Sequence, residues 1–117
     1  MPSGARWERS AERHLAAAGL APVARNYRCR FGEIDLIMRD GDILVFVEVR
    51  FRQRSAYGSG AETIGPAKIG RIARTARQFL GDHPQFADLP CRFDVVSVSG
   101  RWKPNHDWIT NAFDAPA

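Results

Sequence analysis

Asp35 and Glu48 are the residues whose type and setting point most directly to chemistry. They lie in two runs, Glu33 to Arg39 and Ile43 to Arg50, that read as strands and flank Asp40-Gly41, a strong hairpin-turn pair. With Asp40 and Gly41 as the central turn residues, Arg39 faces Asp42, Asp35 faces Phe46 and Glu33 faces Glu48. Alternation then puts Glu33, Asp35 and Ile37 on one face, with Leu44, Phe46, Glu48 and Arg50 beside them. Asp35 and Glu48 become diagonal neighbours, about 7–8 Å apart at Cα. Two carboxylates so placed repel, and Glu48 interrupts an apolar run, so desolvation adds to the cost. A divalent cation relieves both. Hard oxygen donors suit Mg²⁺ or Mn²⁺, which bind one or two carboxylates and keep waters or phosphate as further ligands. The plainer alternative is that Glu48 and Arg50 pair with neighbours on a solvated sheet face.

Those strands need a scaffold, and the rest of the chain supplies one. Trp7, Ala11, Leu15 and Ala18 recur at helical spacing over residues 5–18, and Gly19 stops the helix. Val23 to Arg30 reads as a strand that turns at Phe31-Gly32. Phe51 to Gly60 reads as a loop. Gly65-Pro66 opens a second helix, with Pro favoured at the first helical position, and Gly81 closes it after Leu80. Arg92 to Val98 is a further strand, and Trp108 to Phe113 a short last one. The order α-β-β-β-α-β-(β) makes an α/β fold, a mixed β-sheet flanked by helices, in one domain spanning residues 1–117. Strands 43–50 and 92–98 are joined through a helix and should be parallel.

Composition narrows the function classes. The chain has 117 residues, 44% of them hydrophobic and 10% aromatic, which excludes a disordered chain. The densest apolar run, Ile43 to Val47, is far short of the roughly twenty residues a membrane span needs. Leu15 to Ala24 is broken by Gly19 and Pro22 and reads as helix plus turn, not as an export signal. Cys29 and Cys91 are isolated thiols with no zinc spacing, which points to the cytoplasm. His14, His83 and His106 match no metal spacing and read as surface residues. Arg92 and Asp94 alternate on one strand face and read as structural, while Trp102 and Trp108 read as core or interface. The net charge is +4, with seventeen basic residues against thirteen acidic, and only Lys68 and Lys103 among the basic ones are lysines. A basic domain is compatible with nucleic acid.

Gly32-Glu33-Ile34-Asp35-Leu36-Ile37, followed by Val45-Phe46-Val47-Glu48-Val49-Arg50, resembles the signature of the YraN family, small bacterial proteins related to Holliday-junction resolvases and to the PD-(D/E)xK nuclease superfamily. Gly4, Glu8, Ala11, Leu15 and Gly19 resemble the family's first helix. Arg25-Asn26-Tyr27-Arg28, Lys68 and Arg92-Phe93-Asp94-Val95 match further positions. The resemblance implies a restriction-endonuclease-like core and Mg²⁺- or Mn²⁺-dependent cleavage of phosphodiesters. It makes Asp35 and Glu48 metal ligands, with the Val49 backbone carbonyl as a third. It makes Glu8 the carboxylate from the first helix that completes or organises the site; on the helix alone Glu12, one turn on, is a rival, and the family's spacing from Gly4 favours Glu8. The superfamily motif ends in lysine, whereas this chain has Arg50. Arginine keeps the charge and grips phosphate, but it does not act as a base. The lysine's role either rests on Arg50 or moves to Lys68. The resolvase relatives act as symmetric dimers, so the resemblance also leaves a homodimer open to this chain.

The helix over 66–80 carries Lys68, Arg71, Arg74 and Arg77 on one side and Ile69, Ile72, Ala73, Ala76, Phe79 and Leu80 on the other. Arg52 and Arg54 lead from the candidate site into a loop with Tyr57. Lys68, Arg71, Arg74, Arg52, Arg54 and Tyr57 are therefore the candidate contacts to DNA or RNA, by phosphate pairing and base stacking. A solvated basic face and an inert linker are the plainer readings of the same residues. The function expected is that of a metal-dependent nuclease, and the alternative is a catalytically weak nucleic-acid-binding module.

Overall fold

The computed structural model describes residues 3–52, 64–100 and 102–114. Helix α1 (Ser3–Ala17) ends where Gly19 takes a φ of 106°. There the Gly19 N–H donates to the Ala16 carbonyl and the Leu20 N–H to the Leu15 carbonyl. This is the Schellman closure, and glycine suits its left-handed residue because it has no Cβ. Three strands follow, β1 (Ala21–Cys29), β2 (Gly32–Asp40) and β3 (Ile43–Arg52). Helix α2 (Pro66–Asp82), a short 3-10 turn (Pro84–Phe86) and strands β4 (Cys91–Ser99) and β5 (Asn105–Ile109) complete the described chain.

The five strands form one mixed sheet in sequence order. The pairs β1–β2, β2–β3 and β4–β5 are antiparallel, and β3–β4 is parallel. This is the α/β class and element order that the sequence predicts. The parallel pair is the one joined through α2, as a crossover connection requires. β3 is covered on both faces, which is why it reads as a continuous apolar run. Val45 and Val47 pack with Leu36, Met38, Ala11 and Leu15 on the α1 side, while Leu44 and Phe46 pack with Ile37, Ile72, Ala76 and Phe79 on the α2 side. Each of the larger side chains contributes on the order of 1.5–3 kcal/mol by leaving water. No helix of the described residues is long and apolar enough to cross a membrane.

Four local expectations are corrected. Asp40 pairs with Ile43, so Gly41-Asp42 and not Asp40-Gly41 are the central turn residues. Gly41 has a φ of 60°, the left-handed first position of a II′ turn. The register moves accordingly, with Ile37 opposite Phe46 and Leu36 opposite Val47. The last strand is Asn105–Ile109, because residues 110–111 turn away to bring the Asn111 N–H onto Asp94. Gly81 does not end α2, which runs to Asp82 and closes with the His83 N–H donating to the Leu80 carbonyl. The histidines are not open surface groups. His14 and His106 stack at 4.4 Å, His106 Nε2 lies 2.8 Å from the buried Ser10 hydroxyl, and His83 Nδ1 lies 2.9 Å from the Phe79 carbonyl. Burial, and then the neighbouring His14, lowers the pKa of His106.

Gly32 explains how α2 comes so near the sheet. A Cβ there would meet Thr75 Oγ1 at 3.3 Å and Arg71 Cβ at 3.7 Å. Thr75 itself is fully buried, its hydroxyl donating to the Arg71 carbonyl at 2.7 Å. The close approach sets the first turns of α2, with Lys68 and Arg71, beside the carboxylates of the hairpin.

Candidate metal and catalytic site

The β2–β3 ladder stops at Leu36–Val47. Asp35 and Glu48 are the next residues on the two strands, just past the last ladder pair, whereas the expected register placed them as diagonal neighbours within the ladder. Asp35 is also where β2 exchanges its faces. Ile34 packs into the α2-side core, yet Leu36 packs into the α1-side core, so strict alternation fails between them. In place of a ladder bond, the Val49 N–H donates to Asp35 Oδ2 at 2.8 Å. The carboxylate thus sits in a fork between two separating strands. Burial, then the nearby Glu48, push its pKa up to about 8 against the pull of the Val49 N–H, and Glu8 adds to the rise. Negative charge is crowded at this point, and only a proton or a cation relieves it.

Glu48 extends toward α2, where Lys68 Nζ lies 2.6 Å from Glu48 Oε2. The Glu48 side chain is only 11% exposed, against 42% for that of Lys68. A cleft of about 350 Å³ opens here, lined by Gly32, Glu33, Asp35, Glu48, Val49, Lys68, Arg71 and Ile72. Asp35, Glu48 and Val49, the three expected ligand residues, therefore share one opening with Lys68 and Arg71. Among the described residues no group of three or more His, Cys, Asp and Glu is gathered closely enough to hold a metal ion by itself. The donor set that fits a cation is Asp35 and Glu48 with a backbone carbonyl and water. Such a sparse, hard-oxygen set suits Mg²⁺ or Mn²⁺ and no thiophilic metal.

The first helix supplies Glu8, within hydrogen-bonding reach of Asp35. Its rival is committed elsewhere, since Arg25 donates to Glu12 through both Nε and Nη2. Between Glu8 and the hairpin lies Asn26, whose Nδ2 donates to Glu8 Oε1 at 2.7 Å and to Glu33 Oε2 at 3.3 Å. Sequence reasoning passed over Asn26 and Glu33 as site residues. The available signal was an asparagine in the middle of a predicted strand, where that residue type is depleted.

The cations are distributed unevenly. Arg71 lines the cleft with Lys68, and Arg74 is exposed one turn on. Arg50 follows Glu48 by two residues on β3, level with Ser97 of β4. Arg52 is half-buried at the strand's end, level with Ser99. Arg54 and Tyr57 lie outside the described residues. Asp94 belongs to a separate, structural cluster with Arg92 and Trp108. Trp102, expected in the core or an interface, is 91% exposed.

Known proteins are similar to this chain over most of its length. A UPF0102 protein of Saccharophagus degradans is 49% identical over 111 residues, covering 95% of this chain and 92% of its own. One from Nitrosomonas europaea is 50% identical over 107 residues, covering 92% of this chain and 89% of its own. One from Aeromonas hydrophila is 49% identical over 111 residues, covering 94% of this chain and 83% of its own. The model of the uncharacterised protein family UPF0102 matches residues 7–98, a span that holds Glu8, Asn26, Asp35, Glu48 and Lys68, and the chain belongs to that family.

Proposed function

We propose that this protein is a metal-dependent nuclease that cleaves phosphodiester bonds in DNA or RNA. The observation that carries the reading is Asp35 in its strand fork: a half-buried carboxylate near Glu48, with raised pKa, in a cleft shared with Lys68 and Arg71. Asp35 and Glu48 hold Mg²⁺ or Mn²⁺, with Glu8 behind Asp35. The bound ion supplies an activated water and charge neutralisation at the phosphate. Lys68, reaching in from α2, takes the position of a cation beside Glu48 and stabilises the extra charge of the transition state. Arg71 grips the substrate phosphate, and Arg50 adds positive charge on the strand that carries Glu48.

A second reading is favoured by the Lys68–Glu48 ion pair at 2.6 Å. The ammonium neutralises Glu48 without a metal, so the chain could bind nucleic acid and cleave it poorly. The deciding assay uses labelled duplex, branched and single-stranded DNA and RNA with Mg²⁺ or Mn²⁺. The nuclease reading expects cleavage by the wild type, none by Asp35→Asn, and rates lowered at least about tenfold by Lys68→Ala. Arg50→Lys should retain or raise the rate. Salt-sensitive binding with no cleavage of any substrate selects the binding module. Cleavage that persists in Asp35→Asn sinks the mechanism.

A further inference from the structure

We propose that Asn26 is a positioning residue of the metal site, holding Glu8 and Glu33 where they accept hydrogen bonds from a hydrated cation at Asp35 and Glu48. The assignment rests on the metal reading above. Asn26 has a φ of 50° inside β1, a left-handed conformation that side chains with a Cβ rarely take in a strand. Asn111, at 51°, is the contrast, because it sits in the turn after β5 where such a conformation is ordinary.

The irregularity is placed with purpose. The β1–β2 pairing matches Arg25 with Leu36 and Tyr27 with Ile34, and skips the position between them. Asn26 and Asp35 occupy that skipped position on the two strands. The residue that breaks the regularity of β1 thus faces the residue at which β2 exchanges its faces. Backbone strain that persists at a charged site is a sign of function, since a purely structural strand would shed it.

The side chain then does what no other type does at that point. Its amide nitrogen carries two protons and no charge. Both are directed to carboxylates, Glu8 Oε1 at 2.7 Å and Glu33 Oε2 at 3.3 Å. One acid comes from α1 and the other from β2, on either side of Asp35. A lysine or arginine there would neutralise these acids and compete with a metal ion. An amide fixes them without adding charge: Glu8 keeps its charge available to the cation's waters, of which Mg²⁺ keeps several, while Glu33 Oε2 also pairs with the exposed Arg28 Nε at 3.4 Å. Groups that orient metal-site hydrogen bonds in this way typically alter affinity 10–100-fold when removed.

Glycine separates the amide from the backbone. It adopts a φ near 50° more easily than asparagine, so Asn26→Gly keeps the strand and removes only the side chain. The experiment is Mn²⁺ titration by calorimetry on full-length wild type, Asn26→Gly, Glu8→Gln and the double variant, with metal-free thermal midpoints in parallel. The expected result is an Asn26→Gly midpoint at or above wild type with Mn²⁺ affinity reduced at least about tenfold. Glu8→Gln, which leaves the strand untouched, should lose affinity comparably, and the double variant should lose little more, because the two act as one unit. Wild-type affinity in either single variant, or losses that simply multiply in the double variant, overturns the assignment while the metal reading stands. A wild type that takes up no Mn²⁺ overturns the metal reading, and the assignment falls with it.

Discussion

Asp94, fully buried, and Asp35, half-buried, are aspartates of one sheet, and they are treated in opposite ways. Asp94 is fully buried on β4. It receives Nε and Nη2 of Arg92, the indole N–H of Trp108 and the backbone N–H of Asn111, each at 2.9 Å. Arg92 also reaches Asp40 at 3.2 Å, so the cluster ties β4, β5 and the hairpin turn together. Asp35 has one backbone donor, Val49, and faces the carboxylates of Glu48 and Glu8. A buried carboxylate with a full set of donors is a rivet. One left among its own kind is held there at a cost to the fold, and that cost sets the candidate site apart from the rivet.

The largest effect should come from breaking the rivet. Asp94→Ala leaves a guanidinium, an indole N–H and a backbone N–H short of their acceptor, a loss of about 3–5 kcal/mol by analogy with broken buried pairs. In a domain of this size the thermal midpoint should fall by more than about 10 °C. At a temperature where the variant remains folded, its Mn²⁺ affinity should stay near that of wild type. A midpoint unchanged by Asp94→Ala would erase the distinction between the two aspartates.

Asp35→Asn should act in the opposite direction. The pKa of Asp35 is raised from 3.8 to about 8, so the native state keeps a proton that the unfolded chain gives up. The stabilisation from this group is complete below pH ~4 and is lost as pH rises toward 8. Metal-free wild type should therefore melt lower at pH 8.5 than its other groups would dictate. Asp35→Asn should raise the midpoint there by several degrees, on the order of 2 kcal/mol, and flatten that part of the pH profile. It should also abolish Mn²⁺ uptake. Thermal melts in chelator across pH 4 to 9 test the sign, and a destabilised Asp35→Asn at pH 8.5 would falsify the crowding argument.

The same contrast shows what the sequence could convey. Periodicity was enough for α1, the hairpin, the parallel β3–β4 pair and α2, because each repeats its apolar residues at the spacing its geometry needs. Asp35 and Glu48 were readable as acids on an otherwise apolar sheet face, whereas Glu8, at the edge of its helix's apolar stripe, was preferred to Glu12 only through the resemblance. The register was not readable, since Asp40-Gly41 and Gly41-Asp42 are both good turn pairs and only packing of Ile37 against Phe46 chooses between them. That choice moves Asp35 and Glu48 from a diagonal within the ladder to the two positions just past its end. Nor could alternation reveal the face exchange at Asp35, because a local departure from the strand period leaves no trace in residue types. Asn26 left one trace, an asparagine in mid-strand, but what it and Glu33 do depends on two irregular backbone positions meeting across β1 and β2.

A smaller effect concerns α2. Lys68 and Arg71 belong to the site, whereas Arg74 stands outside the cleft and should act on substrate by charge alone. Single alanine variants should each lower the slope of log affinity against log salt by about 0.7–0.9 for nucleic acid bound. Lys68→Ala and Arg71→Ala should also change the cleavage rate, while Arg74→Ala should change binding only. Filter binding across a salt series separates them, and an unaltered slope in all three variants would remove α2 from the interface.

The smallest effect should come from Glu12, and it sharpens the assignment of Glu8. The two acids lie one turn apart on α1, yet Glu8 meets Asn26 and Asp35, whereas Glu12 meets Arg25. The Arg25 side chain is 60% exposed, so water and salt compete for its charge and the pair contributes little to folding. The bidentate geometry raises the pKa of Arg25, first through the hydrogen bonds and then through the charge of Glu12, but arginine stays protonated across the working range regardless. Glu12→Gln should therefore leave the thermal midpoint within a few degrees of wild type and Mn²⁺ affinity unchanged. Glu8→Gln should leave the midpoint as little affected but weaken Mn²⁺ binding. If the two glutamines behave alike toward Mn²⁺, α1 contributes no carboxylate to the site and the charge around Asp35 comes from the hairpin alone.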